Sequence, residues 1–104
     1  MSEPIYMVGQ ISVKDIPVYL ERYAAPVAEQ LHARGAEILA GDMSPQVLEG
    51  DWPGNWTFIV KFPSAGIATE WYNSKEYLAF KKMRLTELTS MGNLVLMGSI
   101  PPSA

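Results

Sequence analysis

The chain has no cysteine and a single histidine, His32, among its 104 residues. The first absence excludes disulfides, thiol nucleophiles, thiolate-bound zinc and iron–sulfur clusters. The second excludes a multi-histidine metal site within one chain. Charge is scarce as well. Only 18% of the residues are charged, against a usual share of roughly 25%. The net charge is −3 and no Lys/Arg run exists, so nucleic acid is not an expected partner. No apolar stretch reaches the roughly 18 residues a spanning helix needs, so no membrane association is expected. The first residues, Met1-Ser2-Glu3-Pro4, lack the basic and apolar regions of a signal peptide. A cytoplasmic protein without a cofactor is the expectation.

Apolar surface is what the chain has in quantity. Hydrophobic residues make up 48%, with three Trp, five Tyr and three Phe. A chain of this length fits one domain, 1–104, and buries only about two-thirds of its unfolded surface. Some of that apolar excess therefore calls for a partner.

Periodicity predicts the elements. Residues 5–13 alternate as a strand, with Ile5, Met7, Ile11 and Val13 on one face and Tyr6, Val8, Gln10 and Ser12 on the other. Asp15 is an N-cap candidate, followed by Pro17. Ile16, Leu20, Tyr23, Val27 and Leu31 form one helical stripe. Pro26 predicts a bend in this helix, and Gly35 its end, over about residues 15 to 34. A second strand is expected at 36–41 and a turn-rich segment at 42–54, with a short extended piece at 46–49. Residues 55–62 give the clearest strand, with Trp56, Phe58, Val60 and Phe62 on one face. Ser64 and Ser74 are N-cap candidates for a short helix and for a second one over about 75 to 90. The second takes Tyr77, Leu78, Met83, Leu85 and Leu88 as its apolar side. A last strand is expected at 93–98, and residues 99–104 read as a loose tail.

This order predicts an α+β fold of the ferredoxin-like βαββαβ type, an antiparallel sheet with helices on one face. Neither strand face is convincingly polar, so the opposite sheet face needs cover. A second copy of the same sheet, in a two-fold homodimer, is the simplest cover. Periodicity does not decide which parity faces the helices.

One string of residues resembles a known pattern. Leu48-Glu49-Gly50-Asp51-Trp52-Pro53 precedes an aromatic strand ending Phe62-Pro63-Ser64, followed by Ala68, Trp71-Tyr72, Ser74, Glu76-Tyr77 and Arg84. Together with Tyr23 and Gly35, this resembles the bacterial domain of unknown function 1330, over about residues 5 to 98. The resemblance implies a dimeric α+β barrel, a superfamily that includes antibiotic-biosynthesis monooxygenases, haem-degrading enzymes and muconolactone isomerases. It delivers fold and assembly but no reaction. Ala36, Ala40 and Lys61 depart from the family's second glycine, basic residue and acidic residue at those places.

The candidate chemistry is narrow. Glu49 and Arg84 are the catalytic candidates. Arg can hold a carboxylate bidentately, so the pair reads either as an anion pocket or as a structural ion pair. In a proton transfer Glu49 would be the base and Arg84 would stabilise the oxyanion. Tyr6, Tyr23, Trp71, Ser74 and Tyr77 are the ligand-binding candidates, since an apolar pocket with a few hydroxyls suits a small molecule. Tyr23 and Trp71 also lie on apolar helical stripes, as core residues do. His32, about 100° from its helix's stripe, reads as a solvated side chain at a helix C-terminus, and a haem site would need it inside a pocket. Asp42, Glu49 and Asp51 read as a solvated loop cluster, not a cation site. No metal or cofactor is expected.

Two functions remain. One is a homodimer that binds a small apolar or carboxylate-bearing molecule between sheet and helices, with cofactor-independent oxygenase or isomerase activity. The other is a non-catalytic dimeric interaction or ligand-sensing module.

Overall fold

The computed structural model describes residues 3–100. Strands β1 (Ile5–Val13), β2 (Glu37–Asp42), β3 (Trp56–Phe62) and β4 (Thr89–Gly98) form one antiparallel sheet in the order β2-β3-β1-β4. Helix α1 runs as an α-helical turn, Ile16–Tyr19, a π-helical segment, Leu20–Ala24, and an α-helix, Ala25–Ala33. Helix α2 is Ala65–Tyr72. Helix α3 is Lys75–Met83 and continues as a second π-helical segment, Arg84–Leu88. The α+β, ferredoxin-like architecture expected from the sequence is the one observed.

Local chemistry sets the ends. The Asp15 carboxylate accepts from Val18 N at 3.2 Å, and Pro17 sits in the first turn. Helix α1 stops at Gly35, whose φ is 77°. Gly35 N donates to His32 O and Ala36 N to Leu31 O, both at 3.0 Å, the paired bonds of a Schellman stop. Ser64 Oγ accepts from Ile67 N and Ser74 Oγ from Tyr77 N, so both serine caps form.

The register decides the parity. Met7, Ile11, Val13, Val60 and Phe62 are buried beneath the helices. Gly9, on the same face, lies against the Phe58 ring, where a Cβ would come within 2.2 Å of ring carbons. The other face carries Tyr6, Val8, Ile59, Val95 and Met97, and no element among the described residues covers it. The molecule is accordingly a slab, 42 × 38 × 17 Å.

Several expectations need correction. The apolar stripe of α1 runs through Tyr19, which is buried, and not through Leu20, which is exposed. Tyr19, Tyr23, Val27 and Leu31 are each four residues apart. On a regular α-helix each such step drifts by about 40°, and the wider π segment reduces the drift. That segment also ends two residues before Pro26, which has no N–H to donate, so the expected bend is taken up as a π turn: Ala25 N bonds Leu20 O, five residues back. In α3 the π segment turns Arg84 and Leu88 inward, while Leu78 and Leu85 are exposed. It also brings the chain into β4 at Thr89, not at residue 93. Residues 46–49 form no strand. Of the expected tail, residues 99 and 100 are exposed and 101–104 lie outside the described residues.

Candidate functional site

Two polar groups of the core, Tyr23 and Arg84, come from the π-helical segments of α1 and α3. Tyr23 lies within the first and Arg84 opens the second. Tyr23 Oη and Tyr77 Oη share a hydrogen bond, and Arg84 Nε donates to Tyr77 Oη at 3.4 Å. Tyr19 stacks on Tyr23 with ring centroids 5.0 Å apart. Trp71 packs on Tyr77 at 4.1 Å and is itself held by its indole N–H to Gln30 Oε1 at 3.0 Å. Tyr19, Tyr23, Trp71 and Tyr77 are all buried. Short π-helical segments recur at functional sites, and here both supply members of one cluster.

Arg84 is the unusual member. Only 4% of it is exposed. The ion pairs among the described residues are Arg22–Glu87, Arg34–Glu70 and Arg34–Glu76, and Arg84 is in none of them. A buried charge is costly without a counter-charge. Burial pulls its pKa down, but charge interaction with Tyr77 and Tyr23 and the Tyr77 hydrogen bond outweigh this and the net shift is upward; a guanidinium keeps its charge in any case. Desolvation raises Tyr23 well above the ordinary phenol value, with Tyr77 adding to it. Desolvation raises Tyr19 too, against a lowering influence of Arg84. Both therefore stay neutral and can donate hydrogen bonds.

Gly92 lies beside the guanidinium. A Cβ there would meet Arg84 Nη1 at 3.4 Å. Gly92, Leu94 and Leu96 follow one another on the helix-facing side of β4, opposite Ile11, Gly9 and Met7. Leu94 and Leu96 floor an open cavity of about 280 Å³, walled by Met7, Ala68, Thr69 and Tyr72. Gly92, beside the guanidinium, is one two-residue step, about 7 Å, along β4 from Leu94 in the cavity floor. A smaller space of about 80 Å³ lies under α1, lined in part by Tyr19, Tyr23 and Trp71.

Of the sequence candidates, Tyr23, Trp71, Tyr77 and Arg84 come together. Ser74 adjoins them as the cap of α3, and its hydroxyl donates to Trp71 O at 2.7 Å. Tyr6 does not join them, because it is half-buried on the uncovered sheet face. Glu49 does not pair with Arg84 within the chain. It is exposed in the 43–54 loop, beside a concavity lined by Pro45, Val47, Leu48 and Trp52. His32 is exposed at the end of α1. Among the described residues no group of three His, Asp or Glu could hold a metal. Sequence reasoning passed over Tyr19 and Gly92. The four-residue spacing from Tyr19 to Leu31 was the available signal for Tyr19, and Gly92 gave none.

The family described as a domain of unknown function (DUF1330) has a model that matches residues 4–99. No curated protein matches the chain. Among solved structures, it is similar to a protein of unknown function from Rhodopseudomonas palustris. That pair is 20% identical, with a TM-score of 0.70, covering 98% of this chain and 86% of the other. It is also similar to SnoaB, a cofactor-independent oxygenase from Streptomyces nogalater (10% identity, TM-score 0.63, 96% of each chain). A third is a dimeric protein of unknown function with a ferredoxin-like fold from Bacteroides fragilis (11% identity, TM-score 0.57, 92% of this chain and 96% of that one). At these identities the likeness shows the fold.

Proposed function

We propose a function from one premise: the chain belongs to the DUF1330 family, whose model matches residues 4–99. The chain acts as a homodimer that binds a small, largely apolar molecule bearing a carboxylate or an enolisable oxygen. The apolar body lies in the 280 Å³ cavity, near the small end of ordinary ligand sites. Its anionic end takes the place of the counter-charge that Arg84 lacks. The observation that carries this reading is the buried guanidinium with no carboxylate partner among the described residues.

The chemistry such a set favours is stabilisation of an enolate. Arg84 supplies fixed positive charge in a water-poor interior, where such charge acts strongly. Cofactor-independent oxygenation and isomerisation both pass through such an anion, which agrees with the activity named for the Streptomyces nogalater neighbour. A second reading, a non-catalytic ligand-sensing module, draws support from the packing of Trp71 on Tyr77, which fills the interior beside Arg84.

Calorimetric titration with arylcarboxylates and their uncharged primary amides tests the binding. The carboxylates are expected to saturate at one per chain and to bind at least about tenfold tighter than the amides, as a charge-assisted hydrogen bond contributes roughly 1.5–3 kcal/mol. Arg84→Gln removes that preference, and Arg84→Lys retains part of it. Equal binding of acid and amide to the unmodified protein, or no binding of either, overturns the reading.

A further inference from the structure

The β2–β3 loop, residues 43–54, is the least explained part of the surface. It exposes Met43, Val47, Leu48 and Trp52, with Leu48 86% exposed. A loop that presents this much apolar surface is marked for contact. It is also anchored. Asp42 Oδ1 accepts from Ser44 N at 2.7 Å, and Trp52 Nε1 donates to Thr57 Oγ1 at 2.8 Å. Thr57 pairs with Gln10 in the sheet, so it belongs to the face opposite the helices. The Trp52 anchor therefore ties the loop to the uncovered side, where the second copy proposed above would lie.

The loop and Arg84 share one end of the sheet. A Cβ at Gly54, at the loop's end, would meet Ile11 O and the Met91 side chain, and one at Gly92, which pairs with Ile11, would meet Arg84. A two-fold axis along the strands reverses the left-to-right order of the sheet and preserves its ends. It lays β2 of one copy over β4 of the other, and brings each loop to the end of the partner that holds Arg84. The loop carries Glu49 and Asp51, and Arg84 has no carboxylate partner among the described residues of its own chain.

We infer that the 43–54 loop of one copy closes over the β4 edge of the second copy, and that its Glu49 supplies the carboxylate facing the partner's Arg84. This rests on the homodimer proposed above. Each site is then incomplete in a single chain. Leu48 covers the apolar edge, and Glu49 neutralises the guanidinium until an anionic ligand displaces it. The carboxylate so displaced stands beside the ligand as a base.

The cysteine-free sequence makes the test direct. Glu49→Cys and Ser90→Cys chains, both altered at exposed positions, are mixed and treated with a short bis-maleimide. A covalent pair of unlike chains is expected, along with far less product from either variant alone. Leu48→Cys mixed with Ser90→Cys gives the same result if the position 49 variant folds poorly. Sedimentation of the unmodified protein runs in parallel. A dimer without the mixed cross-link overturns this inference and leaves the dimer standing. A monomer overturns both. A double variant that cross-links only within its own chain also overturns the inference.

Discussion

At the scale of single residues, burial decides more than identity. Five tyrosines are present, and the sequence offers no sign of which hydroxyls share a hydrogen bond inside. Tyr23 and Tyr77 could be read as apolar-stripe residues, yet their common environment with Arg84 depends on π turns that no periodicity announces. Burial has a consequence with pH. An unfolded tyrosine titrates near pH ~10, and folding raises Tyr19 and Tyr23 above that. Above about pH 10 the unfolded chain holds fewer protons than the folded one, so stability falls as pH rises. Below that pH the contribution is complete. The denaturant midpoint is expected to hold steady through neutral pH and to decline once pH passes about 10. Tyr23→Phe is expected to decline less steeply over the same window. Parallel declines in the two proteins, measured by urea unfolding, would count against a buried phenol at position 23.

At the scale of elements, most of the fold was legible. Strand alternation, the Asp15, Ser64 and Ser74 caps and the Gly35 stop all follow from local chemistry that needs no tertiary context. What was not legible came from backbone hydrogen-bond shifts. The π segments at 20–24 and 84–88 exchange Tyr19 for Leu20, and Arg84 for Leu85, on the buried faces. A stripe counted at 3.6 residues per turn cannot anticipate that exchange. The candidate site suffered most, since both of its helix-borne polar ends lie at these segments. Ser74 shows how the elements hold the site. Its Oγ accepts from Tyr77 N and its hydroxyl donates to Trp71 O, so one side chain closes α2, starts α3 and fixes the spacing of Trp71 and Tyr77. Ser74→Ala is expected to lower stability by about 1 kcal/mol, the usual cost of losing such a cap, as measured by chemical denaturation. Ser74→Asp, which keeps an acceptor, is expected to recover most of it. Equal losses in both variants would mean that the cap is not what matters there.

At the scale of the whole molecule, the shortage of charge has a location. A radius of gyration of 14.2 Å exceeds the roughly 13 Å of a compact chain this long, because two layers make a slab with one sheet face open. Pairing across that face sets Ala40, Ile59, Val8 and Val95 in one apolar row over all four strands, while Asp42, Thr57, Gln10 and Asn93 make a polar row near one end. The apolar row is where a second sheet would pack, so a charge placed in its middle tests the proposed association without touching the core. Ile59→Lys sets an ammonium on the open face, opposite Val8. In a face-to-face dimer the two-fold axis brings in two such cations, and burying an unpaired charge costs several kcal/mol. The variant is expected to sediment as an 11.5 kDa chain at a concentration where the unmodified protein sediments at twice that mass. Its far-ultraviolet circular dichroism is expected to be unchanged, because Ile59 points away from the helices. A dimer that survives Ile59→Lys would move the contact to another surface and separate the open sheet face from assembly.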